Sequence, residues 1–322
     1  SAIVYTAYVM IASVYLTKKL APELKIKIGN FKISAVIELI KSGLWNSLNS
    51  LSTMLLSGLD LLIANLFIDS TAMGTLSIAK TIPTAVLTLL GTLSNVFLPQ
   101  FTILYSKNKI NELINETKFS IKVMSLIMIV PLAGFIVFGT EFFALWLPSK
   151  TSEEIMQIQI LSILTLLPNL VSSYIYTLYG INTVTNKLKV PVMVTFVLGI
   201  ISVIVTYILV QTTNLGVYAI AGVSSIILVI RILTFVPMYA AHNLKVKKGI
   251  FYGTLFRALA TSAFIMVIFA IININFAISS WTKLIICAVI AGIIGYIVSF
   301  ICLLNKEEKE KVKQKILSFR KR

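Results

Sequence analysis

The chain consists of long apolar runs that are separated by short polar breaks. A helix needs about 17–25 predominantly apolar residues to cross the hydrocarbon core of a bilayer. Runs of this length cover residues 1–17, 44–68, 76–105, 119–147, 155–180, 191–211, 215–240, 255–274 and 283–304. The pattern therefore predicts an all-α integral membrane protein, a polytopic helical bundle with about nine transmembrane helices, neighbours being antiparallel.

Two segments outside the runs predict cytoplasmic structure. Residues 18–43 predict a cytoplasmic connection with an interfacial segment, and residues 305–322 predict a basic cytoplasmic tail. Two interpretations of the tail stay open: an amphipathic helix on an anionic inner leaflet, or a solubilising and partly frayed end. Because the sequence begins inside an apolar run and without an initiator Met, we expect it to be a truncated piece of a longer protein.

Lysine and arginine are concentrated in alternate breaks. Most of the 28 basic residues lie in the first, third, fifth and seventh breaks and in the tail, and the net charge is +16. Cytoplasmic loops of membrane proteins carry an excess of these residues. The pattern therefore predicts that these breaks and the C-terminus face the cytoplasm. It also accounts for the charge without a nucleic-acid partner.

The composition supports a membrane protein and gives no support for catalysis. Hydrophobic residues make up 57% and charged residues 12% of the chain, whereas a soluble domain has about 25% charged residues. Cys287 and Cys302 lie about 22 Å apart along one predicted helix, which is too far for a disulfide. The sequence has one histidine and no nucleotide-binding, metal-ligand or nucleophile motif, so we expect neither an enzyme nor a resident cofactor.

Two opposite charges lie inside neighbouring apolar runs. Asp60 is in the run 44–68, and Lys80 is in the run 76–105. The short break between the runs predicts similar depths for the two side chains, roughly 8–12 Å below the outer boundary at about 1.5 Å per residue. Two interpretations stay open: a pair that neutralises itself between two helices, or a charged lining of a water-filled cavity.

Arg231 is a third charge inside a run, about ten residues from its cytoplasmic end. Its side chain either snorkels toward the inner interface or points into a cavity. A guanidinium there could form two parallel hydrogen bonds with a phosphate or a carboxylate.

The run that contains Asp60 begins with an unusually polar helix face. The face is formed by residues spaced i, i+3, i+4 and i+7, namely Asn46, Asn49, Ser50 and Thr53. Such a face indicates either interhelical hydrogen bonds or a wetted cavity wall. We favour the wall, because Asp60 is expected to extend the same face.

Two sequence features concern helix geometry and packing. Prolines lie inside four of the runs, at positions 83, 131, 168 and 237. Membrane helices tolerate proline where neighbours or water satisfy the freed carbonyls. In the last run, Ala291, Gly295 and Ser299 recur every fourth residue and predict a small-residue packing face.

The order of residues resembles the bacterial polysaccharide (O-antigen type) flippases. These belong to the multidrug/oligosaccharidyl-lipid/polysaccharide (MOP) transporter superfamily, which also contains multidrug and toxic compound extrusion (MATE) exporters. The matching features are Asp60, the pattern MG…AK.IP at 73–83, Pro99, a Lys/Glu-containing connection, Pro131–Leu132 and Gly139. The resemblance covers residues 34–240, and the remainder agrees in topology.

The resemblance implies a MATE-like fold of two six-helix lobes around a central cavity, followed by two extra helices. Residues 1–17 would be the last helix of a truncated N-terminal lobe, and 44–240 the six-helix C-terminal lobe. Residues 255–304 would form the two additional helices. The protein would then lie in the bacterial cytoplasmic membrane with its C-terminus inside.

By resemblance, the whole protein would move a polyprenyl-pyrophosphate-linked oligosaccharide from the inner to the outer leaflet by alternating access. Arg231 and Lys80 would contact phosphate or acidic sugars, and the polar face from Asn46 to Thr53 would bind sugar hydroxyls. Asp60 would be the coupling carboxylate, driven by a proton or sodium gradient. A polysaccharide polymerase or glycosyltransferases would be partners.

Two other functions of the same superfamily stay open, a cation-coupled multidrug exporter and a lipid II-type flippase for peptidoglycan precursors. The exporter would favour acidic and aromatic cavity walls. A scaffold protein of a wall-assembly complex would instead be indifferent to neutralising Asp60, Lys80 and Arg231.

Overall fold

The computed structural model describes residues 2–20 and 32–310, apart from a few side chains of the first two helices, that of Asn46 among them. The described residues are helical with short connections and contain no strand, which confirms the predicted all-α class. The chain divides into two units, Ser1–Ser47 and Leu48–Arg322. Residues 21–31 of the predicted connection and 311–322 of the predicted tail lie outside the described residues.

The first unit contains α1 (Ala2–Leu20) and the start of α2 (Ile33–Thr53). The second unit continues α2 through a π-helical segment, Met54–Gly58, and contains all later helices. These are α3 (Asp60–Phe67), α4 (Ser70–Asn95), α5 (Leu98–Ser106), α6 (Ile110–Trp146), α7 (Ser152–Ser173), α8 (Leu178–Val184), α9 (Lys189–Thr212), α10 (Val217–Leu233), α11 (Phe235–Asn243), α12 (Tyr252–Asn275) and α13 (Trp281–Leu303).

Within the described part of the chain, seven helical segments are long and apolar enough to cross a membrane. They correspond to the seven predicted runs from 76–105 onward. The predicted span 44–68 is a bent pair, Gly43–Gly58 and Asp60–Phe67, which meet at 48°. The predicted span 1–17 is helical and falls within α1 (Ala2–Leu20).

Three spans are interrupted near the same end of the second unit. A short helix follows each interruption: α5 after α4, α8 after α7, and α11 after α10. Of the short helices, α8 contacts both α5 and α11, and Asn243 of α11 donates a 2.9 Å hydrogen bond from Nδ2 to Oδ1 of Asn182 in α8. At this end Lys122 of α6 also pairs with Glu308 beyond α13, at 2.7 and 2.8 Å from the two carboxylate oxygens. The third, fifth and seventh breaks, which follow α5, α8 and α11, thus share one end of the second unit, as the charge pattern predicts.

The connection between α3 and α4 is shorter than the sequence predicts. The Asp69 carboxylate accepts a 2.6 Å hydrogen bond from the backbone N–H of Ala72, so α4 already begins at Ser70. Residues 70–75, which lie in the predicted break between the two runs, therefore belong to the start of α4. Lys80 consequently lies about 15 Å along α4, deeper than predicted.

The prolines inside the spans leave backbone carbonyls without an intrahelical partner, because proline has no N–H to donate to the fourth residue before it. Pro83 frees the carbonyl of Ala79, which accepts a 2.8 Å hydrogen bond from Oγ of Ser162 on α7. Two further carbonyls in the same position accept from tyrosine hydroxyls on α13 and α12. These pairs are Ile127 with Tyr296 at 3.3 Å, before Pro131, and Leu233 with Tyr252 at 2.7 Å, before Pro237. Neighbouring helices thus satisfy three of the freed carbonyls.

The small-residue face of α13 packs as predicted. Ala291 and Ser299 are buried, and a Cβ at Gly295 would lie 2.9 Å from Phe269 of α12 and 3.0 Å from Val130 of α6. The absence of a side chain at Gly295 therefore lets α13 approach both helices closely. The larger hydrophobic core of the second unit is built around α6.

Candidate functional site

Asp60 and Lys80 form an ion pair within the membrane-spanning part of the bundle. Lys80 Nζ lies 2.8 Å from Asp60 Oδ2 and donates a second hydrogen bond, also 2.8 Å, to the backbone carbonyl of Ser57. The Ser224 hydroxyl of α10 donates to the same carboxylate oxygen at 3.4 Å. The side chains of Lys80 and Asp60 are 21% and 9% exposed. The pair is thus largely shielded from solvent. Its interacting groups come from the π-helical segment, α3, α4 and α10.

The interruption of the second span creates this arrangement. In the π-helical segment the N–H of Leu59 donates to the carbonyl of Met54 at 3.0 Å, five residues back, and a new helix starts at Asp60. The last carbonyls of a helix lack intrahelical donors. Ser57 lies in this last turn, and Lys80 supplies a donor to its carbonyl.

Gly199 of α9 allows a close approach to the π-helical segment. A Cβ at this position would lie 2.8 Å from the Leu55 side chain and 3.2 Å from the backbone of Leu56 and Ser52. Real Cβ atoms essentially never come within 3.0 Å of a neighbouring atom, so the contact with Leu55 would force a displacement. The lack of a side chain at Gly199 therefore lets α9 support the interrupted helix directly.

Asp60 does not continue the polar face that the sequence predicts for it. Asn49, Ser50 and Thr53 are exposed, whereas Asp60 is buried at 6% exposure. The physical reason is the π-helical segment between them, which shifts the helical phase, together with the bend that follows. The side chain of Asn46 lies outside the description, and the Thr53 hydroxyl donates at 2.9 Å to the Asn49 carbonyl of its own helix.

Arg231 lies against α8, and no contact among the described residues links it to the ion pair. Its Nη1 donates to the Tyr179 hydroxyl at 3.3 Å, and its guanidinium carbon lies 5.7 Å from the centroid of that ring. Its Nε is buried and has no hydrogen-bond partner in the described part of the chain. The candidate residues therefore occupy separate places: an ion pair at the interrupted helix, an exposed polar face, and an arginine beside α8.

A cavity of about 220 Å³ lies beside Tyr179, between the end of α4, the start of α5 and α8. Its lining residues are Gly91, Ser94, Asn95, Leu98, Phe101, Tyr176, Thr177, Tyr179, Gly180 and Thr183. The rings of Tyr176 and Tyr179 meet edge to face, with centroids 5.3 Å apart and planes at 75°. The lining is thus aromatic and neutral-polar.

Three residues of these sites are not predicted from the sequence: Ser224, Tyr176 and Tyr179. The tyrosines carried a usable signal, because YTLYG places two rings three residues apart on one helix face next to a glycine. Ser224 carried none, because serine is common in membrane helices and its partner Asp60 is distant in sequence.

The chain is similar to the uncharacterized membrane protein EpsK of Bacillus subtilis (strain 168), with 27% identity over 304 residues. The aligned region covers 94% of this chain and 59% of EpsK, so the chain spans less than two thirds of that relative's length. No family model and no solved structure matches the chain. The similarity and the seven membrane-length helices agree on one conclusion. The chain is part of a multi-pass membrane protein.

Proposed function

We propose that the chain belongs to a flippase that moves lipid-linked oligosaccharide or polysaccharide repeat units from the inner to the outer leaflet, for cell-envelope or capsule polysaccharide biosynthesis. The observation that carries this proposal is the Asp60–Lys80 ion pair at an interrupted span. Charges within membrane spans are costly and mark transport pathways, and interrupted helices mark the binding sites of transporters. The residue pattern of polysaccharide flippases around the pair supports the choice of substrate.

The ion pair would act as a switch between two states of the transporter. While it is closed, Lys80 neutralises Asp60. When it opens, the Lys80 ammonium becomes available to the substrate pyrophosphate, and the Asp60 carboxylate becomes available to a proton or sodium ion. Rocking of the two lobes of a MATE-like fold would open and close it, which is a fold-level analogy.

The remaining candidates would contact the substrate. The exposed polar side chains of Asn49, Ser50 and Thr53, with Asn46 on the same helix, would bind sugar hydroxyls. Arg231 would contact a phosphate or an acidic sugar through its unpartnered Nε. The protein would not be an enzyme, and it would receive its substrate from glycosyltransferases and pass it to a polysaccharide polymerase. It would lie in the bacterial cytoplasmic membrane with its C-terminus in the cytoplasm, next to an anionic inner leaflet.

The test is polymer export in a flippase-deficient bacterial strain that expresses the full-length protein. Asp60→Asn and Lys80→Met are each expected to abolish export while the protein accumulates in the membrane. The charge swap, Asp60→Lys with Lys80→Asp, is expected to leave export abolished, because the two charges have different tasks. Glu112→Gln, which breaks an exposed ion pair with Lys109, is the matched control and should export normally.

Other outcomes would contradict the proposal. Restored export in the charge swap would show that the pair is only a structural contact. Dye efflux that depends on Asp60, without polymer export, would identify a cation-coupled multidrug exporter. Restored translocation of peptidoglycan precursors would identify a lipid II-type flippase.

A further inference from the structure

The cavity beside Tyr179 has a lining that suits an uncharged polar ring. None of its described lining residues is Lys, Arg, Asp or Glu. Its polar groups are hydroxyls and an amide, among them those of Ser94, Asn95 and Tyr176. Gly91 and Gly180 contribute no side chain to the lining. The lining itself offers no counter-ion to a charged ligand, whereas a ligand with several hydroxyl groups would find donors and acceptors in it.

The two tyrosines line the cavity and supply it with aromatic rings and hydroxyl groups. Aromatic faces carry a partial negative charge. The C–H bonds on one face of a sugar ring carry a partial positive charge, and its hydroxyls point outward around the edge. The edge-to-face contact of Tyr176 and Tyr179 at 5.3 Å turns their ring planes to 75°, so that a ring stacked on one meets the other's edge. This arrangement matches the amphipathic shape of a pyranose.

Arg231 contacts both the hydroxyl and the ring of Tyr179. Nη1 of Arg231 donates to the phenol oxygen at 3.3 Å, so this oxygen acts as an acceptor in that bond. Its own proton stays available for a ligand oxygen. The guanidinium also lies over the ring, at 5.7 Å from the centroid, which holds the ring in one orientation. For this cavity Arg231 is a positioning residue.

We propose that the cavity is a subsite for one neutral pyranose ring of the transported glycolipid, with Tyr176 and Tyr179 as its platform. The inference rests on the proposed flippase function and adds a place and a chemical class for sugar recognition. The volume of about 220 Å³ is below the roughly 300–1,000 Å³ of sites for drug-sized ligands, so a single ring fits and a whole oligosaccharide does not. The cavity lies at the end of the bundle where the alternate basic breaks meet, which is the predicted cytoplasmic side. Here a sugar would be bound before translocation.

A cysteine-protection experiment tests the subsite without requiring transport. Thr183 is exposed at the rim, so Thr183→Cys, in full-length protein with its native cysteines replaced by serine, reports on the cavity through its rate of maleimide labelling. The probes are the octyl β-glycosides of glucose, galactose and mannose, with octyl tetraethylene glycol as the matched amphiphile without a sugar ring. The protein is kept in lipid nanodiscs, because many detergents carry sugar headgroups.

At least one glycoside is expected to slow labelling, by about tenfold at ten times its Kd, because labelling follows the unoccupied fraction. Tyr176→Leu should abolish this protection, and Tyr179→Phe should weaken it through loss of the donor. Arg231→Met should weaken it as well, and Arg231→Lys should restore part of it by returning a cation to the ring. Tyr105→Leu, an exposed tyrosine outside the cavity, should protect like the parent and controls for folding.

Protection by the polyether to the same extent as by the glycosides, or no protection by any glycoside, would overturn the inference. So would full protection in Tyr176→Leu. These outcomes are independent of the export assay. Lost protection with export that still depends on Asp60 and Lys80 would refute the subsite alone, and retained protection with export independent of the pair would refute the flippase alone.

Discussion

The Lys80 ammonium contacts oxygens from two segments of one interrupted helix, the Asp60 carboxylate and the Ser57 carbonyl. Removing one partner of a buried ion pair typically costs about 3–5 kcal/mol, because the remaining charge is left without compensation. Lys80 is still partly exposed, so its loss of Asp60 would cost less than this. Loss of Lys80, which leaves the more buried Asp60 without a partner, is therefore the costlier of the two changes.

At the residue scale the sequence predicted the two charges but not their surroundings. Similar depth on antiparallel neighbours followed from the short break, and the structure indeed joins the two side chains. The carbonyl of Ser57 was not predictable, because side-chain periodicity does not reveal which backbone groups an interrupted helix frees. Regular helical spacing predicts that the polar face and Asp60 share one side of the helix. The π-helical segment between them breaks this spacing, so they do not.

Gly139 of α6 gives a prediction for a single residue. The amide of Gln159 on α7 lies where a Cβ of Gly139 would be, and its Nε2 donates at 3.1 Å to the carbonyl of Ile136. Gly139→Ala is expected to destabilise the protein by about 1–3 kcal/mol through overpacking. Thermal unfolding of the purified full-length protein measures the effect.

Two variants accompany this prediction. Gly134→Ala on the same helix is the control, because its Cβ would meet Phe269 at an ordinary 3.8 Å. Gln159→Ala combined with Gly139→Ala should recover part of the loss by removing the colliding amide. An unchanged unfolding temperature for Gly139→Ala alone would contradict the explanation.

At the element scale, hydroxyl groups and prolines act in pairs. The Ser162–Ala79 hydrogen bond exists because Pro83 leaves the Ala79 carbonyl without its usual donor. Ser162→Ala is expected to cost about 1–3 kcal/mol, since a buried carbonyl is left unpaired. In a Pro83→Ala background the cost should fall, because the new N–H can take the carbonyl. A double-mutant cycle on thermal unfolding measures this coupling.

Ser125→Ala on α6 is the matched control for this cycle. Its buried hydroxyl donates at 2.7 Å to the Ile121 carbonyl of its own helix, where no proline has removed a donor. Its removal should therefore cost less than that of Ser162 and be independent of Pro83. Equal costs for Ser162→Ala in both backgrounds would show that the proline does not create the need for the hydroxyl.

The apolar runs predicted the long helices well and their interruptions poorly. Run length and polarity indicate what crosses a membrane, and seven of the runs are membrane-length helices in the described residues. The interruptions before α5, α8 and α11 each lie inside one continuous apolar run, so the length of the run does not reveal them. The early start of α4 was hidden for the opposite reason, since a polar first turn looks like a loop until Asp69 is recognised as its cap.

For the whole molecule, the alternation of basic breaks predicts which end faces the cytoplasm. Lys187→Cys, in the fifth break, should react with a membrane-impermeant maleimide only after cells are permeabilised. Ser149→Cys, between α6 and α7, should react in intact cells. Both positions lie in connections between helices, and Ser149 and Lys187 are exposed. The reverse pattern would invert the proposed topology and with it the direction of sugar binding.

Tyr252 and Tyr296 give the last two helices a role that hydropathy alone does not suggest. Both tyrosines donate to carbonyls that prolines leave without an intrahelical donor, on α10 and α6. Inside a span, as at Tyr296, no water can replace the hydroxyl. A relative that lacks α12 and α13 would therefore be expected to lack Pro131 and Pro237 as well, or to offer these carbonyls another donor. Each proline and its tyrosine would thus be expected to change together among relatives, so that a substitution at one position is accompanied by a substitution at the other.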